Sequence, residues 1–290
     1  MDFVAIDVET ANSDMASICQ IGLAKYKGGT LEKEWLSLIN PEDYFYDINI
    51  SIHGINEKDV SNAPTLPEIS SQLKEFMSGS ICVSHTHFDR VSIYRAFEKY
   101  SLQHLDITWL DSARVARRAW KECAWSGYGL ANICKIIGYD FKHHDALEDA
   151  KAAGQVILSA TNKTGLDIDE WLRRVSKPIG HSRIQNQKGE NPEGELYSEI
   201  LVFTGTLLIP RAEAAALAMS AGCTIGSVVT KKTTMLVVGD QDITKLAGKK
   251  KSSKHIKAEQ LISKGQKIRI LSESDFKELV AQSHENETAD

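Results

Sequence analysis

The stretch that decides the fold is residues 1–10, Met-Asp-Phe-Val-Ala-Ile-Asp-Val-Glu-Thr. Its apolar run at residues 3–6 predicts a β-strand that delivers Asp7 and Glu9 two residues apart. Because successive strand side chains point to opposite faces, both carboxylates project from one face. Two like charges held so close require a cation, and hard divalent ions such as Mg²⁺ or Mn²⁺ prefer oxygen ligands. The pair predicts a divalent-metal site, with a solvated acidic strand end as the alternative.

Length and composition indicate a globular protein. The chain has 290 residues, of which 42% are hydrophobic, enough for one large or two ordinary domains. It contains no run of about 18 apolar residues and no basic segment followed by an apolar one at its start, so we expect no membrane span, no secretory signal and a cytoplasmic location. Five cysteines without any C-x-x-C pair predict reduced, buried thiols rather than disulfides or a zinc ribbon.

Charge is distributed unevenly along the chain, although the net charge is only -5. Residues 1–160 carry 15 basic and 22 acidic side chains, whereas residues 201–271 carry 12 basic and 4 acidic ones. An acidic half suits cation binding and a basic half suits a phosphate-bearing partner, but a charge run is also typical of a solvated face.

Two more strands are predicted after the first, at residues 17–26 and 31–39, with the turn Lys27-Gly28-Gly29 between them. Three strands joined by short turns form an antiparallel meander. A loop is expected over residues 40–55, and the apolar spacing from Thr65 onward predicts a helix.

A third acidic position follows the short strand predicted at residues 81–83. There, Phe88-Asp89 opens a helical stretch. An aspartate at this point is often only a helix cap that accepts hydrogen bonds from unpaired backbone N–H groups. Asp89 is therefore either a cap or a further ligand.

The last acidic position lies after the helix predicted at residues 130–137, which Gly138 ends. His144 lies just ahead of the next predicted helix, and Asp149 lies about a turn and a half later. Both side chains can point toward one site if the start of that helix faces it. For His144 the alternative is a polar residue that merely flanks a helix.

The acidic residues and the motifs around them together resemble the DnaQ-like, DEDDh-type 3′ to 5′ exonucleases, which include the proofreading subunit of bacterial replicative polymerase. The matching motifs are Phe3-Val4-Ala5-Ile6-Asp7-Val8-Glu9-Thr10, Gln20-Ile21-Gly22, Ile52-His53-Gly54-Ile55, Phe88-Asp89, and residues 144–150. The resemblance covers residues 1–160 and implies an α/β fold with an RNase H-like mixed sheet.

The resemblance also implies roles for individual residues. Two divalent ions, Mg²⁺ or Mn²⁺, would be held by Asp7, Glu9, Asp89 and Asp149, activating a water and stabilising the leaving 3′ oxygen. His144 would take the proton of the water, a task that suits an imidazole. The substrate-binding residues would be Thr10, His53 and His85. His85 departs from the family pattern, because many members have Asn at that position.

A connector is predicted over residues 161–198, which are rich in Gly, Pro, Asn, Gln and charged residues around 176–194. A second domain is predicted over residues 199–282, where strands and helices alternate as in a small parallel sheet. Residues 283–290 are polar, and a disordered tail is expected.

This second domain resembles a BRCT domain. The matching elements are Phe203-Thr204-Gly205, Ala221-Gly222, residues 234–239, Ser253-Lys254 and Lys257-Ala258, with Phe276 where a Trp is usual. The resemblance implies a phosphate-binding pocket formed by Thr204, Gly205, Arg211 and Lys254, whose ligand would be 5′-phosphorylated DNA or a phosphoprotein. A single BRCT domain is also often a protein-docking module.

Two classes of function follow. The first is a metal-dependent exonuclease that acts on nucleic-acid 3′ ends in repair or replication. The second is a BRCT adaptor protein with an inactive nuclease fold. Retention of all five catalytic residue types favours the enzyme. The substrate is DNA or RNA, and the BRCT resemblance favours DNA over an RNA-trimming role.

Overall fold

A five-stranded mixed sheet organises the N-terminal part of the chain in the computed structural model. Its strands are β1 (Phe3–Thr10), β2 (Ile18–Lys27), β3 (Thr30–Leu38), β4 (Ile81–Ser84) and β5 (Thr108–Asp111), in the order β3-β2-β1-β4-β5. β1, β2 and β3 form the predicted antiparallel meander, and β4 and β5 continue the sheet in parallel with β1. The predicted α/β class with a mixed sheet is confirmed for this part of the chain.

The structure describes residues 1–123, 127–177, 179, 191, 193–239 and 251–285. The chain divides into two compact units, Met1–Pro178 and Ile179–Asp290. Within the predicted connector, residues 178, 180–190 and 192 lie outside the described residues. The same holds for residues 286–290 of the predicted tail.

Helices cover both faces of the first sheet. They are α1 (Asp47–His53), α2 (Glu57–Val60), α3 (Leu66–Met77), α4 (Phe88–Lys99), α5 (Ser112–Ala119), α6 (Leu130–Ile137), α7 (Ala146–Thr164) and α8 (Ile168–Val175). One apolar core packs α5 to α8 against the sheet, and another packs α3 and α4 against it. The central strand is therefore buried on both sides, which explains its continuous apolar run.

The alternation along β1 determines where its acidic residues point. Phe3 and Ala5 belong to the core on the α7 side, whereas Val4 and Ile6 belong to the core on the α3 and α4 side. Since side chains alternate with a period of two, the odd-numbered positions that follow project toward α7.

Two stretches differ from the sequence-based expectation. Residues 161–177, expected in the connector, complete α7 and form α8, whose Ile168, Trp171 and Val175 are buried in the first unit. Their spacing of three and four residues is the helical signal that places them there. Residues 40–55, expected as a loop, contain α1, which ends at Gly54 with a φ of +81°.

The second unit contains a four-stranded parallel sheet, as predicted. Its strands are β6 (Ile200–Thr204), β7 (Thr224–Gly226), β8 (Met235–Val238) and β9 (Arg269–Ser272), in the order β7-β6-β8-β9. The described helices are α9 (Arg211–Ser220), α10 (Ser253–Ile262) and α11 (Glu273–Glu285). Phe276 is fully buried and packs edge-on against Phe203.

All five cysteines are buried and unpaired with one another, as predicted. Burial raises the pKa of the Cys82 thiol to about 12. Within the described ranges, none of the helices has both the length and the apolar content that a bilayer-spanning segment requires.

Candidate active site

Three carboxylates converge where β1 meets α7. Asp7 and Glu9 project from the end of β1, and Asp149 lies in the first turns of α7. Carboxylate oxygens from the three residues lie within 4.8 Å of one another, and Asp149 is buried. Oxygen ligands at such spacing fit a hard divalent cation, because without one the three charges would repel each other.

Contacts with β2 determine where α7 begins. The Gln20 Oε1 atom accepts a hydrogen bond of 3.0 Å from the Ala146 N–H. The backbone of Gly22 lies so close to Ala146 and Leu147 that a Cβ atom at residue 22 would overlap them. The side chain of Asp145 caps the helix by accepting from the N–H groups of Leu147 and Glu148. The Gln20-Ile21-Gly22 motif thus positions the helix that carries Asp149.

Both oxygens of the Asp149 carboxylate have partners in the segment before α7. Oδ2 accepts a 2.7 Å hydrogen bond from the backbone N–H of His144. Oδ1 lies 3.0 Å from Nδ1 of His143. His144 has a φ of +64°, in the left-handed region that non-glycine residues rarely adopt. This backbone conformation lets two consecutive histidines approach one carboxylate.

His143 is a site residue that the sequence reasoning missed. Its ring and the ring of His144 have centroids 5.2 Å apart, and Phe141 packs against it at 4.4 Å. The pair His143-His144 was visible in the sequence, but the spacing to Asp149 pointed only to His144.

Asp89 lies in the first turn of α4 and is buried. His87, not Asp89, occupies the N-cap position of this helix. The Asp89 Oδ1 atom accepts a 3.1 Å hydrogen bond from the backbone N–H of Val8, the residue between Asp7 and Glu9. The structure therefore connects Asp89 to the acidic end of β1, and the alternative of a helix cap does not describe it.

Thr10 and His53, two predicted substrate contacts, lie together. The Thr10 carbonyl accepts hydrogen bonds from Asn49 Nδ2 at 2.8 Å and from His53 Nε2 at 3.1 Å. The Ile55 N–H donates to His53 Nδ1, so the neutral ring carries its proton on Nε2. Burial lowers the pKa of His53, the bond to Thr10 opposes this shift, and the nearby charge of His144 lowers the pKa further.

His85, the third predicted substrate contact, is buried. Its Nδ1 lies 2.8 Å from Ser112 Oγ, and its Nε2 lies 2.8 Å from the Tyr128 carbonyl oxygen. Since both ring nitrogens are engaged within the protein, His85 links β4 to α5 and to the segment before α6.

A second cluster lies within the second unit, at the end of β6. The Thr204 hydroxyl lies 2.7 Å from the Ser252 hydroxyl, which caps α10. Lys254 Nζ donates to the Phe203 carbonyl at 3.0 Å, and the Arg211 guanidinium donates to the Gly205 carbonyl at 2.7 Å. Burial lowers the pKa of Lys254, and the charge of Arg211 lowers it further. The four predicted phosphate-binding residues are thus brought together.

Comparison with known families gives a match that covers more than half of the chain. The model of the family described as Exonuclease, RNase_T, matches residues 4–157. The PolC-type DNA polymerase III of Thermotoga maritima is 26% identical over 233 residues, covering 73% of this chain and 16% of that protein. The PolC-type DNA polymerase III of Oceanobacillus iheyensis is 26% identical over 194 residues, covering 65% of this chain and 13% of that protein.

Solved structures with a similar fold include exonuclease X in complex with 5′ overhanging duplex DNA, with a TM-score of 0.46 and 19% identity over 59% of this chain and 98% of that one. The nuclease domain of 3′hExo, a DEDDh family member bound to rAMP, gives a TM-score of 0.49 and 17% identity over 56% of this chain and 92% of that one. The chain spans less than a fifth of the length of the two polymerases.

Proposed function

The chain belongs to the RNase_T exonuclease family, and from its site geometry we propose that it is a metal-dependent 3′ to 5′ exonuclease that releases nucleotides from DNA 3′ ends in repair or replication. The observation that carries the proposal is the convergence of Asp7, Glu9 and Asp149 within 4.8 Å. A structural role alone does not account for three carboxylates placed so close at the junction of two elements.

Four carboxylates are proposed to hold two divalent ions, Mg²⁺ or Mn²⁺. Asp7, Glu9 and Asp149 supply oxygens from the cluster, and Asp89 is tied to the same strand through Val8. When bound, such ions supply Lewis-acid activation of water and neutralise charge on the leaving oxygen. Oxygen-only ligands favour Mg²⁺ or Mn²⁺ over softer metals.

His144 is proposed to accept the proton of the attacking water. Its backbone N–H donates to Asp149, so the residue is fixed beside the carboxylate cluster. An imidazole at such a position can act as a general base near neutral pH. The left-handed backbone at His144 supports this role, since strained conformations concentrate at functional sites.

Thr10 and His53 are proposed to contact the substrate near its 3′ end. The hydrogen bond between them fixes the end of β1 directly after Glu9. His85 is proposed as a third substrate contact, and it also links β4 to α5, because both of its ring nitrogens are engaged within the protein. RNA is the alternative substrate. The released nucleotide distinguishes DNA from RNA as the substrate.

We propose that the second unit is a BRCT domain that binds a phosphate. Its parallel sheet in the order β7-β6-β8-β9 supports the assignment. Two cations held close together, Arg211 and Lys254, favour an anion beside them, and the hydroxyl of Thr204 lies at the same end of β6. The ligand is 5′-phosphorylated DNA or a phosphoprotein.

The enzymatic proposal is tested with 3′-labelled and 5′-labelled oligonucleotides of DNA and RNA, titrated with Mg²⁺ and with Mn²⁺. Early release of labelled mononucleotide from the 3′-labelled DNA, dependent on the metal, is expected. Asp7→Asn should lower the rate by more than about 10³-fold, because it removes several kcal/mol of stabilisation by the metal site. His144→Gln should lower it by about 10² to 10⁴-fold.

Asp106→Asn is the matched control, because it removes an exposed carboxylate just before β5. It should retain the wild-type rate. Turnover by Asp7→Asn at the wild-type rate would refute the metal mechanism. A wild-type protein that releases no nucleotide from either nucleic acid would favour the adaptor with an inactive nuclease fold.

A further inference from the structure

The segment before α7 carries a second group of metal-ligating side chains that shares one residue with the carboxylate cluster. Ligand atoms of His143, His144 and Asp149 lie within 4.8 Å of one another. Two imidazoles with one carboxylate form a ligand set that suits borderline ions such as Zn²⁺, rather than Mg²⁺.

We propose that His143, His144 and Asp149 form an inhibitory site for Zn²⁺ or a similar borderline transition ion. The inhibition, though not the binding, rests on the proposed exonuclease activity. Zn²⁺ bound here takes the imidazole of His144 and an oxygen of Asp149 away from catalysis. The carboxylate of Asp149 thus belongs to two alternative metal positions with different chemical preferences.

The geometry around Asp149 fits this assignment. His143 Nδ1 lies 3.0 Å from Asp149 Oδ1, close to the separation of about 3.3 Å between neighbouring ligands of a tetrahedral zinc ion with bonds of about 2.0 Å. Oδ2 is oriented by the N–H of His144, so Oδ1 is the oxygen that faces the imidazole of His143. A backbone hydrogen bond that orients a ligating carboxylate is typical of metal sites.

His143 is also held and accessible. Phe141 packs against its ring, which restricts the orientation of the imidazole. The side chain of His143 is 26% exposed, so an ion can reach it from solvent, whereas the side chain of Asp149 is 7% exposed. The two histidine rings approach each other at 5.2 Å beside the buried carboxylate. One ligand atom from each of the three side chains already lies within 4.8 Å of the others.

The experiment measures Zn²⁺ affinity of the full chain in excess Mg²⁺, by competition with a fluorescent zinc indicator. His143→Gln should weaken Zn²⁺ binding by at least about tenfold, and His144→Gln should do the same. His104→Gln is the matched control, because it removes an exposed histidine that stacks on Tyr94. Glu9→Gln should cost less zinc affinity than His143→Gln, because Glu9 belongs only to the carboxylate cluster.

Equal Zn²⁺ affinity in the wild type and in His143→Gln would overturn the site. A larger loss of Zn²⁺ affinity in Glu9→Gln than in His143→Gln would also overturn it. The Co²⁺ absorption spectrum provides a second readout, since nitrogen ligands and low coordination intensify its visible bands and His143→Gln should diminish them. In the nuclease assay, each variant is compared with its own zinc-free rate, and half-inhibition of His143→Gln should need at least about tenfold more Zn²⁺. Zinc binding is read without turnover, so an inactive protein would refute the exonuclease while still testing this site.

Discussion

Gly22 on β2 packs directly against the backbone of Ala146 at the start of α7, where a Cβ atom would overlap the Ala146 carbonyl group. The same strand holds the Ala146 N–H through Gln20. A strand that carries no ligand therefore determines the position of the helix that carries Asp149. The absence of a side chain at residue 22 is as much a part of the site as the carboxylates.

Gly22→Ala is expected to displace the start of α7 and lower nucleotide release by about 10²-fold, because a shift of about 1 Å in a catalytic group has that effect. The measurement is the initial rate on 3′-labelled DNA at saturating Mg²⁺. Gly129→Ala is the matched control, since Gly129 has open space around it and an ordinary φ of -63°. A Gly22→Ala rate equal to that of the control would contradict this account of the motif.

Much of this site can be predicted from the sequence, because the local spacing of acidic and apolar residues indicates which face of an element they occupy. Asp7 and Glu9 share a face of β1 through the period of two, and the apolar run before them identifies a buried strand. For Asp89 the sequence does not distinguish a helix cap from a metal ligand, because the cap position and the first turn of a helix are only two residues apart. The hydrogen bond from Val8, 81 residues away in the chain, argues against the cap and ties Asp89 to β1, and no local sequence pattern predicts it. The role of Asp89 as a metal ligand stays a prediction.

His143 and His85 show where sequence reasoning ends. Both consecutive histidines approach Asp149 through the left-handed backbone at His144, and the residue sequence alone does not indicate that conformation. His85 was placed by analogy with the family, but its environment depends on Ser112 and on the Tyr128 carbonyl. By contrast, the spacing of Ile168, Trp171 and Val175 is a helical signal for α8, which the polar residues of the predicted connector obscure.

Asp89 should have two separable roles, in stability and in metal binding. Asp89→Asn keeps a carbonyl oxygen for the Val8 N–H, whereas Asp89→Ala removes the acceptor and should cost about 1 to 3 kcal/mol. Both variants remove the carboxylate and should abolish metal-dependent turnover. All five tryptophans precede residue 178, so urea unfolding followed by tryptophan fluorescence reports on the first unit alone. Equal urea midpoints for the two variants would show that this hydrogen bond contributes nothing to stability.

The first unit should lose stability as the pH falls below about 6.5, in part through His53. Its pKa in the folded state is lowered from 6.5, chiefly by burial, so the unfolded state binds the proton more tightly. The stabilising contribution is therefore complete above pH 6.5 and is lost as the pH drops toward the lower folded-state pKa. His53→Gln should flatten this dependence, measured as the tryptophan-detected urea midpoint at about pH 7.5 and pH 5.5. His104→Gln, which removes an exposed histidine, should retain the wild-type slope.

The second unit is expected to recognise a phosphate specifically rather than to attract nucleic acid through its general positive charge. Lys254 and Arg211 are held beside Thr204 by hydrogen bonds to backbone carbonyls, so the cations are already oriented before a ligand arrives. Lysines that are merely exposed, such as Lys257, attract all nucleic acids alike, and that attraction falls steeply with salt.

Binding is measured at near-physiological salt, with the full chain carrying Asp7→Asn so that DNA is not degraded. The ligands are duplexes with and without a 5′ phosphate and a peptide with and without phosphoserine. Lys254→Met combined with Thr204→Val should remove a preference of about tenfold for one phosphorylated ligand, because charge-assisted hydrogen bonds contribute about 1.5 to 3 kcal/mol. Lys257→Met is the matched control and should weaken all ligands slightly and equally. If the full chain prefers neither phosphorylated ligand, the pocket assignment is wrong and the second unit is better interpreted as a protein-docking module.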